Sequence, residues 1–188
     1  MIKSRDRDKL INAAVFFGSN TRYCGKIKLI KLLYLLDFEV FRQTGSSVTG
    51  LDYRAWKMGP VPVALYEEWD CLEPDFAAAT QIVPEKVHDH FRERVVPRRD
   101  FDDSHFTQRE LRVMTELAVK FHDEFSRPLV NFTHAELGPW FKIWDSGRGY
   151  QERIPYTLAV SDDDPFAEAV LEAASDRQSI RDAVGIAH

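Results

Sequence analysis

Few residues of this sequence combine the type and the spacing that acid–base chemistry requires. Asp37 falls on the apolar row of a helical pattern, and His134 and Glu136 form a second polar group. If the fold brings these groups into one cleft, they supply a proton donor and a proton acceptor for an enzyme. The alternative for Asp37 is structural, because a buried carboxylate must be hydrogen-bonded or ion-paired.

Metal, cofactor and thiol chemistry have little support in the sequence. The His-Asp-His run at 88–90 and the His-Ala-Glu run at 134–136 have metal-like spacing but no standard zinc-ligand pattern. Phosphate-binding glycine loops and a nucleophile elbow are absent, so we predict no metal and no cofactor. The basic neighbours of Cys24 favour a lowered thiol pKa, although a buried and inert cysteine fits the same pattern.

Aromatic and charged residues are the better candidates for binding a protein partner. Tyr53 and Trp56 flank an arginine and precede Lys57, and Trp140 and Trp144 flank a lysine. Tryptophan, tyrosine and arginine dominate interface energetics, but the same rings also fill cores. A lysine at a helix start opposes the helix dipole, so Lys28 is expected to have another partner. The predicted partner-binding residues are Lys28, Asp37, Tyr53, Trp56, Lys57 and Trp140.

The composition limits the class of protein. The 188 residues are 44% hydrophobic, enough for one domain with a proper core. With 25 basic and 30 acidic residues, the net charge of −5 disfavours nucleic-acid binding through a general basic surface. No apolar run is long enough to cross a membrane, and two unpaired cysteines suit a reducing cytoplasm. We therefore predict a cytoplasmic protein.

The pattern predicts a mainly α (α+β) fold built around one buried central helix. That helix spans 26–45 and is apolar except for a narrow stripe, Lys28, Lys31, Glu39 and Arg42, that is expected to face water. Gly45 ends it. The other predicted helices span 4–17, 62–72, 108–125, 129–136, 139–144 and 165–177. Thr107 and Glu110 have the form of a capping box at the start of the helix at 108–125.

A small antiparallel β element is expected from short strands within 46–58, 81–83, 94–96 and 153–160, with 85–92 as a loop or helical turn. Pro84 and Pro97 are expected to close the strands at 81–83 and 94–96.

Three stretches resemble one known family. The chain resembles, in order, the motifs of the SocA-like, or Panacea, domain of phage-associated GepA-like proteins. The matching stretches are KLIKLLYLLD at 28–37, YRAWKMGPV at 53–61, and Thr133-His134, Gly138-Pro139-Trp140 and Ile154-Pro155. The resemblance covers about residues 4–160 and implies a mainly helical fold with a small β element. We assign 1–160 to this domain and 161–188, which carries no resemblance, to its C-terminal helix and tail. The resemblance implies that Lys31, Leu33 and Tyr34 build the central helix and that Gly59 and Pro60 shape a turn.

The resemblance also implies a function. Family members are antitoxins that neutralise a toxin encoded beside them, usually by direct binding. A second reading, also implied by the resemblance, is a proteolytic adaptor that delivers the toxin to a Clp-type protease. The third is the enzyme that uses Asp37 and His134. Homo-oligomer formation stays open, and no membrane or nucleic-acid partner is expected.

Overall fold

The computed structural model describes residues 5–87, 90–134 and 138–184. Its helices, in chain order, are α1 (Arg5–Asn20), α2 (Lys26–Thr44), α3 (Val63–Glu68), α4 (Pro74–Ala79), α5 (Gln108–Lys120), α6 (Ser126–Thr133), α7 (Pro139–Trp144) and α8 (Ala167–Val184). Its strands are β1 (Tyr53–Trp56), β2 (Gly59–Pro62), β3 (Thr80–Val87) and β4 (His90–Pro97). The mainly helical fold with a small antiparallel β component is confirmed, with two two-stranded sheets in the described ranges.

Helix α2 is the central element, as predicted. It packs against α1, α5, α6, α8, β2 and β4. Gly45 adopts the left-handed conformation (φ 69°), and its N–H donates to the Phe41 carbonyl, which closes the helix. The expected water-facing stripe is wrong in its first half, because Lys28 and Lys31 are each only 1% exposed. Arg42 is exposed as expected.

Strands β1 and β2 form a tight hairpin that packs on α2. Trp56 pairs with Gly59 across the turn, and Gly59 has φ +100°, which favours glycine. Residues 151–154 run along the free edge of β1 through backbone hydrogen bonds, such as Ile154 N–H to the Tyr53 carbonyl (2.8 Å). The strand expected at 153–160 is therefore reduced to a single bridge at Arg153, and a 3-10 turn follows at Tyr156–Ala159.

Strands β3 and β4 form a longer hairpin than the sequence predicts. Both strands continue through 85–87 and 90–92, where a loop or a helical turn was expected. Pro84 lies inside β3, opposite Glu93, and does not end the strand. Because β3 is an edge strand, a proline whose nitrogen faces away from β4 removes no ladder hydrogen bond. Helix α4, just before β3, was also missed.

Helices α5, α6 and α8 of the C-terminal half also pack against α2. Thr107 and Glu110 form the predicted capping box at the start of α5. Buried Glu110 also pairs with Lys9 of α1 at 2.5 Å, which joins these helices. Helix α5 ends at Lys120, earlier than expected, and α8 continues to Val184, well past the predicted end. No helix in the described ranges has the length and apolarity needed to span a bilayer.

Candidate functional site

The six residues predicted to bind a partner fall into a buried group and an accessible group. Lys28, Asp37, Tyr53 and Trp140 are between 0% and 4% exposed. Trp56 is half-buried, and Lys57 is exposed at the hairpin turn. The four buried side chains contact the interior of this chain, so a partner could reach them only if the fold opened.

Asp37 organises the loop between α2 and β1. Its carboxylate accepts hydrogen bonds from the backbone amides of Val48 (2.8 Å) and Thr49 (2.7 Å) and from the hydroxyls of Thr49 and Tyr53 (2.8 Å for Tyr53). Burial raises the pKa of Asp37 to about 6, and the hydrogen bonds oppose that rise. The structural pairing expected for a buried Asp37 is confirmed, and the structure shows no hydrogen bond between Asp37 and His134.

Lys28 has the partner that its unfavourable place in α2 implied. Its Nζ donates to the carbonyl oxygens of Arg22 (2.6 Å), Phe121 (2.7 Å), His122 (3.3 Å) and Glu124 (2.6 Å). Three of these follow the C-terminal end of α5, where the helix dipole favours a cation. Burial lowers the pKa of Lys28, but four acceptors stabilise the ammonium. Lys28 therefore ties the start of α2 to the end of α5.

Lys31 was not among the residues predicted to bind a partner, but in the structure it is an unusual buried amine. Its Nζ donates to one carbonyl, that of Pro60 (2.9 Å), and burial lowers its pKa to about 7. Among the described residues, no carboxylate is close enough to oppose this effect. A Cβ on Gly59 would lie 2.6 Å from Lys31 Nζ and 2.9 Å from His134 Nε2, so only glycine admits both groups. The sequence feature that could have identified Lys31 is a single lysine within an apolar run.

His134 and Trp140 complete a cluster built from the motif segments. Their rings stack at 3.8 Å with an interplanar angle of 6°, and Trp140 Nε1 donates to the Trp56 carbonyl (3.0 Å). Burial, followed by the charge of Lys31, lowers the pKa of His134, and its contact with the Met58 backbone opposes this. We call the set Lys31, Tyr34, Trp56, Gly59, His134 and Trp140 the motif cluster.

The motif cluster contains unsatisfied polar atoms. In the described part of the chain, three buried side-chain atoms lack a regular hydrogen bond, and all belong to the cluster: Tyr34 Oη, Trp56 Nε1 and His134 Nε2. The backbone of Trp140 approaches the Tyr34 hydroxyl, but without regular hydrogen-bond geometry. Buried polar atoms without a hydrogen bond are uncommon in folded proteins. In the motif cluster the rings pack closely, and these three atoms have no regular hydrogen-bond partner.

The other chemical candidates form no site among the residues that the structure describes. Cys24 is buried, and burial raises its pKa to about 11, so the basic neighbours in sequence do not activate it. The described residues contain no group of three potential metal ligands. Glu136, Ala135, His88 and Asp89, and the side chain of His90, lie outside what the structure describes.

An accessible apolar surface borders the motif cluster. Met58, which contacts His134 through its backbone, is 62% exposed; Phe132 and Phe141, each 45% exposed, are close in sequence to His134 and Trp140. A groove of about 370 Å³ adjoins Phe132 and runs between α2, α5 and α6. Its walls include Leu35, Phe38, Val113, Leu117, Phe132 and Pro139. We call Met58, Phe132, Phe141 and this groove the apolar surface.

Comparison with known proteins identifies the family. The family model described as "Antitoxin SocA-like, Panacea domain" matches residues 29–141, which is more than half of the chain. This match spans Lys31, the β1–β2 hairpin and Trp140. No curated protein and no solved structure matches the chain. The resemblance noted from the motifs is confirmed, and the chain belongs to the antitoxin SocA-like, Panacea domain family.

Proposed function

We propose that this protein is an antitoxin that neutralises a cognate toxin by binding it directly in the cytoplasm. Membership of an antitoxin family supports the general role. The observation that carries direct binding is the apolar surface: Met58, Phe132 and Phe141 are exposed, and Phe132 lines a groove of about 370 Å³. The groove walls also carry four charged residues, Glu39, Arg42, Glu116 and Lys120. Exposed apolar patches of this kind commonly mark protein-binding sites. In a cytoplasm, Cys24 and Cys71 would remain free thiols, as the structure has them.

The residues of the β1–β2 hairpin divide between contact and support. Lys57 and Met58 are exposed at the turn, and the partly buried Trp56 ring packs against Tyr66. We propose that Trp56, Lys57 and Met58 contact the toxin. In this proposal Asp37, Tyr53 and Trp140 hold the hairpin and α7 in place, and Lys28 joins α2 to the end of α5.

The test is co-expression with the protein encoded by the adjacent reading frame. Met58→Asp combined with Phe141→Asp is expected to abolish growth rescue and to remove the toxin from a pull-down, because two charges enter an apolar interface. Ile180→Asp is the matched control, since Ile180 is 63% exposed but lies on α8. Thermal unfolding of each variant checks that the fold is retained, and size-exclusion chromatography reports the stoichiometry and any self-association.

Two outcomes contradict the proposal. If the double variant still binds and rescues like the wild type, the apolar surface is not the contact. If no complex forms and the toxin instead disappears from the cell, the protein acts as an adaptor for a Clp-type protease, and direct neutralisation is wrong.

A further inference from the structure

A small basic pocket lies at the opposite end of α2 from Lys28. It has a volume of about 100 Å³ and opens between the loop that follows Gly45 and one face of α8. Three arginines from two parts of the chain line it, together with serine and tyrosine hydroxyls. The polar lining residues are Ser46, Ser47, Arg153, Tyr156, Arg177, Gln178 and Arg181.

Each of the three guanidinium groups has a polar contact within the chain and further N–H donors besides. Arg153 Nε donates to Asp52 (2.6 Å), Arg177 Nη1 donates to the Thr44 carbonyl (2.5 Å), and Arg181 Nη2 is 3.9 Å from Asp6. A guanidinium group carries five N–H donors, so each contact leaves donors for a ligand. The carbonyl that holds Arg177 ends α2, and this hydrogen bond fixes its side chain at the pocket.

The charges around the pocket do not balance. Asp52 is shared between Arg153 and Arg54 (3.0 Å), and Asp6 is the other acidic partner of this group. Asp182, which accepts a hydrogen bond from the lining residue Gln178, is a third carboxylate here. Three lining arginines and the neighbouring Arg54 thus face three carboxylates in a protein whose net charge is −5. A local positive excess in an acidic protein attracts anions.

We propose that Arg153, Arg177 and Arg181 form a binding site for a phosphate group, either as inorganic phosphate or as the phosphomonoester of a small molecule. The planar donor fork of arginine matches phosphate oxygens, and the Ser46 and Ser47 hydroxyls add neutral donors. The pocket has the size of a single phosphate rather than of a whole nucleotide. All three arginines follow residue 141 and so lie outside the matched family region, whereas Ser46 and Ser47 lie within it.

The experiment is calorimetric titration of the full chain with inorganic phosphate and, separately, with AMP, at ionic strength held constant with chloride. Phosphate is expected to bind, and Arg177→Gln combined with Arg181→Gln is expected to weaken binding at least tenfold. Arg148→Gln is the control, because Arg148 is exposed and paired only within its own turn with Asp145. Tighter binding of AMP than of phosphate would identify a phosphomonoester as the ligand.

A second variant protects the test against loss of structure. Arg153→Lys keeps the charge and leaves α8 untouched, and it is expected to weaken phosphate binding by several-fold because the donor fork is lost. The proposal is overturned if phosphate produces no more heat than chloride. It is also overturned if Arg148→Gln weakens binding as much as the double variant, since the effect would then be one of net charge.

Discussion

Replacing Lys31 with methionine is expected to stabilise the protein at neutral pH. Lys31 is a buried amine with one hydrogen-bond acceptor, the Pro60 carbonyl, and it is only 1% exposed. Methionine has a similar length and no charge, so it can follow the same path beside Gly59. Exchanging a buried charge for an apolar side chain of similar volume often increases stability.

The pKa of Lys31 gives the size and the pH dependence of the effect. Burial lowers this pKa from 10.5 to about 7. Between these values the unfolded chain holds a proton that the folded chain has lost, so the free energy of unfolding rises with pH. Since one pKa unit corresponds to about 1.4 kcal/mol, the amine lowers stability by roughly 5 kcal/mol below pH 7 and by roughly 2 kcal/mol at pH 9.

Methionine removes the destabilisation that the buried amine causes, but it leaves the Pro60 carbonyl without its hydrogen-bond donor, which costs about 1–3 kcal/mol. The net expectation for Lys31→Met is a gain of about 2–4 kcal/mol at pH 6.5 and almost no change at pH 9. Urea unfolding of both proteins at the two pH values measures the difference directly. His134 remains in both proteins, and because the charge of Lys31 is one cause of its lowered pKa, removing that charge favours the folded state in the same direction at pH 6.5.

Lys28→Met is the matched control, because Lys28 is equally buried but has four carbonyl partners. Losing it leaves several acceptors unsatisfied, so a loss of about 3 kcal/mol is expected at both pH values. The reasoning is refuted if Lys31→Met is less stable than the wild type at pH 6.5. It is also refuted if the difference between Lys31→Met and the wild type is the same at both pH values.

The remaining predictions concern Asp37, the α5 cap and the thiols. Asp37→Asn should lower the free energy of unfolding by about 3–5 kcal/mol, because its carboxylate accepts four buried hydrogen bonds; unchanged urea unfolding with lost function would instead favour a reactive acid. Thr107→Ala should cost about 1 kcal/mol through loss of the cap, and Thr115→Ala, an exposed change within α5, should cost almost nothing. A thiol reagent should label Cys71 in the native protein and Cys24 only after unfolding; equal labelling rates would contradict the burial of Cys24.

The sequence predicted local structure correctly where that structure depends on a few neighbouring residues. The cap at Thr107 and the left-handed Gly45 depend on groups within four residues, and both were found. The β3–β4 hairpin was underestimated because Pro84 reads as the end of a strand. Whether a proline ends a strand depends on which side of it another strand pairs, and sequence pattern alone does not contain that information.

The site was less predictable because its contacts connect distant parts of the chain. Periodicity showed that Asp37 needs partners, but not that a loop 11 and 12 residues later supplies them. It assigned Lys28 and Lys31 to a water-facing stripe, since a lysine on a helix usually is solvated. The acceptors at Phe121 and Pro60 lie far along the chain, so the pattern around Lys28 and Lys31 does not show that these amines are buried.

The contact between Lys28 and the end of α5 also bears on when this protein can fold during synthesis. The acceptors at 121–124 are made more than 90 residues after Lys28, so the amine has only the Arg22 carbonyl as a partner while the first half of the chain leaves the ribosome. Contacts this distant in sequence delay folding, and domains generally fold as units. The central helix is therefore expected to complete its burial only after residue 124 has emerged, which leaves an interval in which the nascent chain exposes its core to proteases.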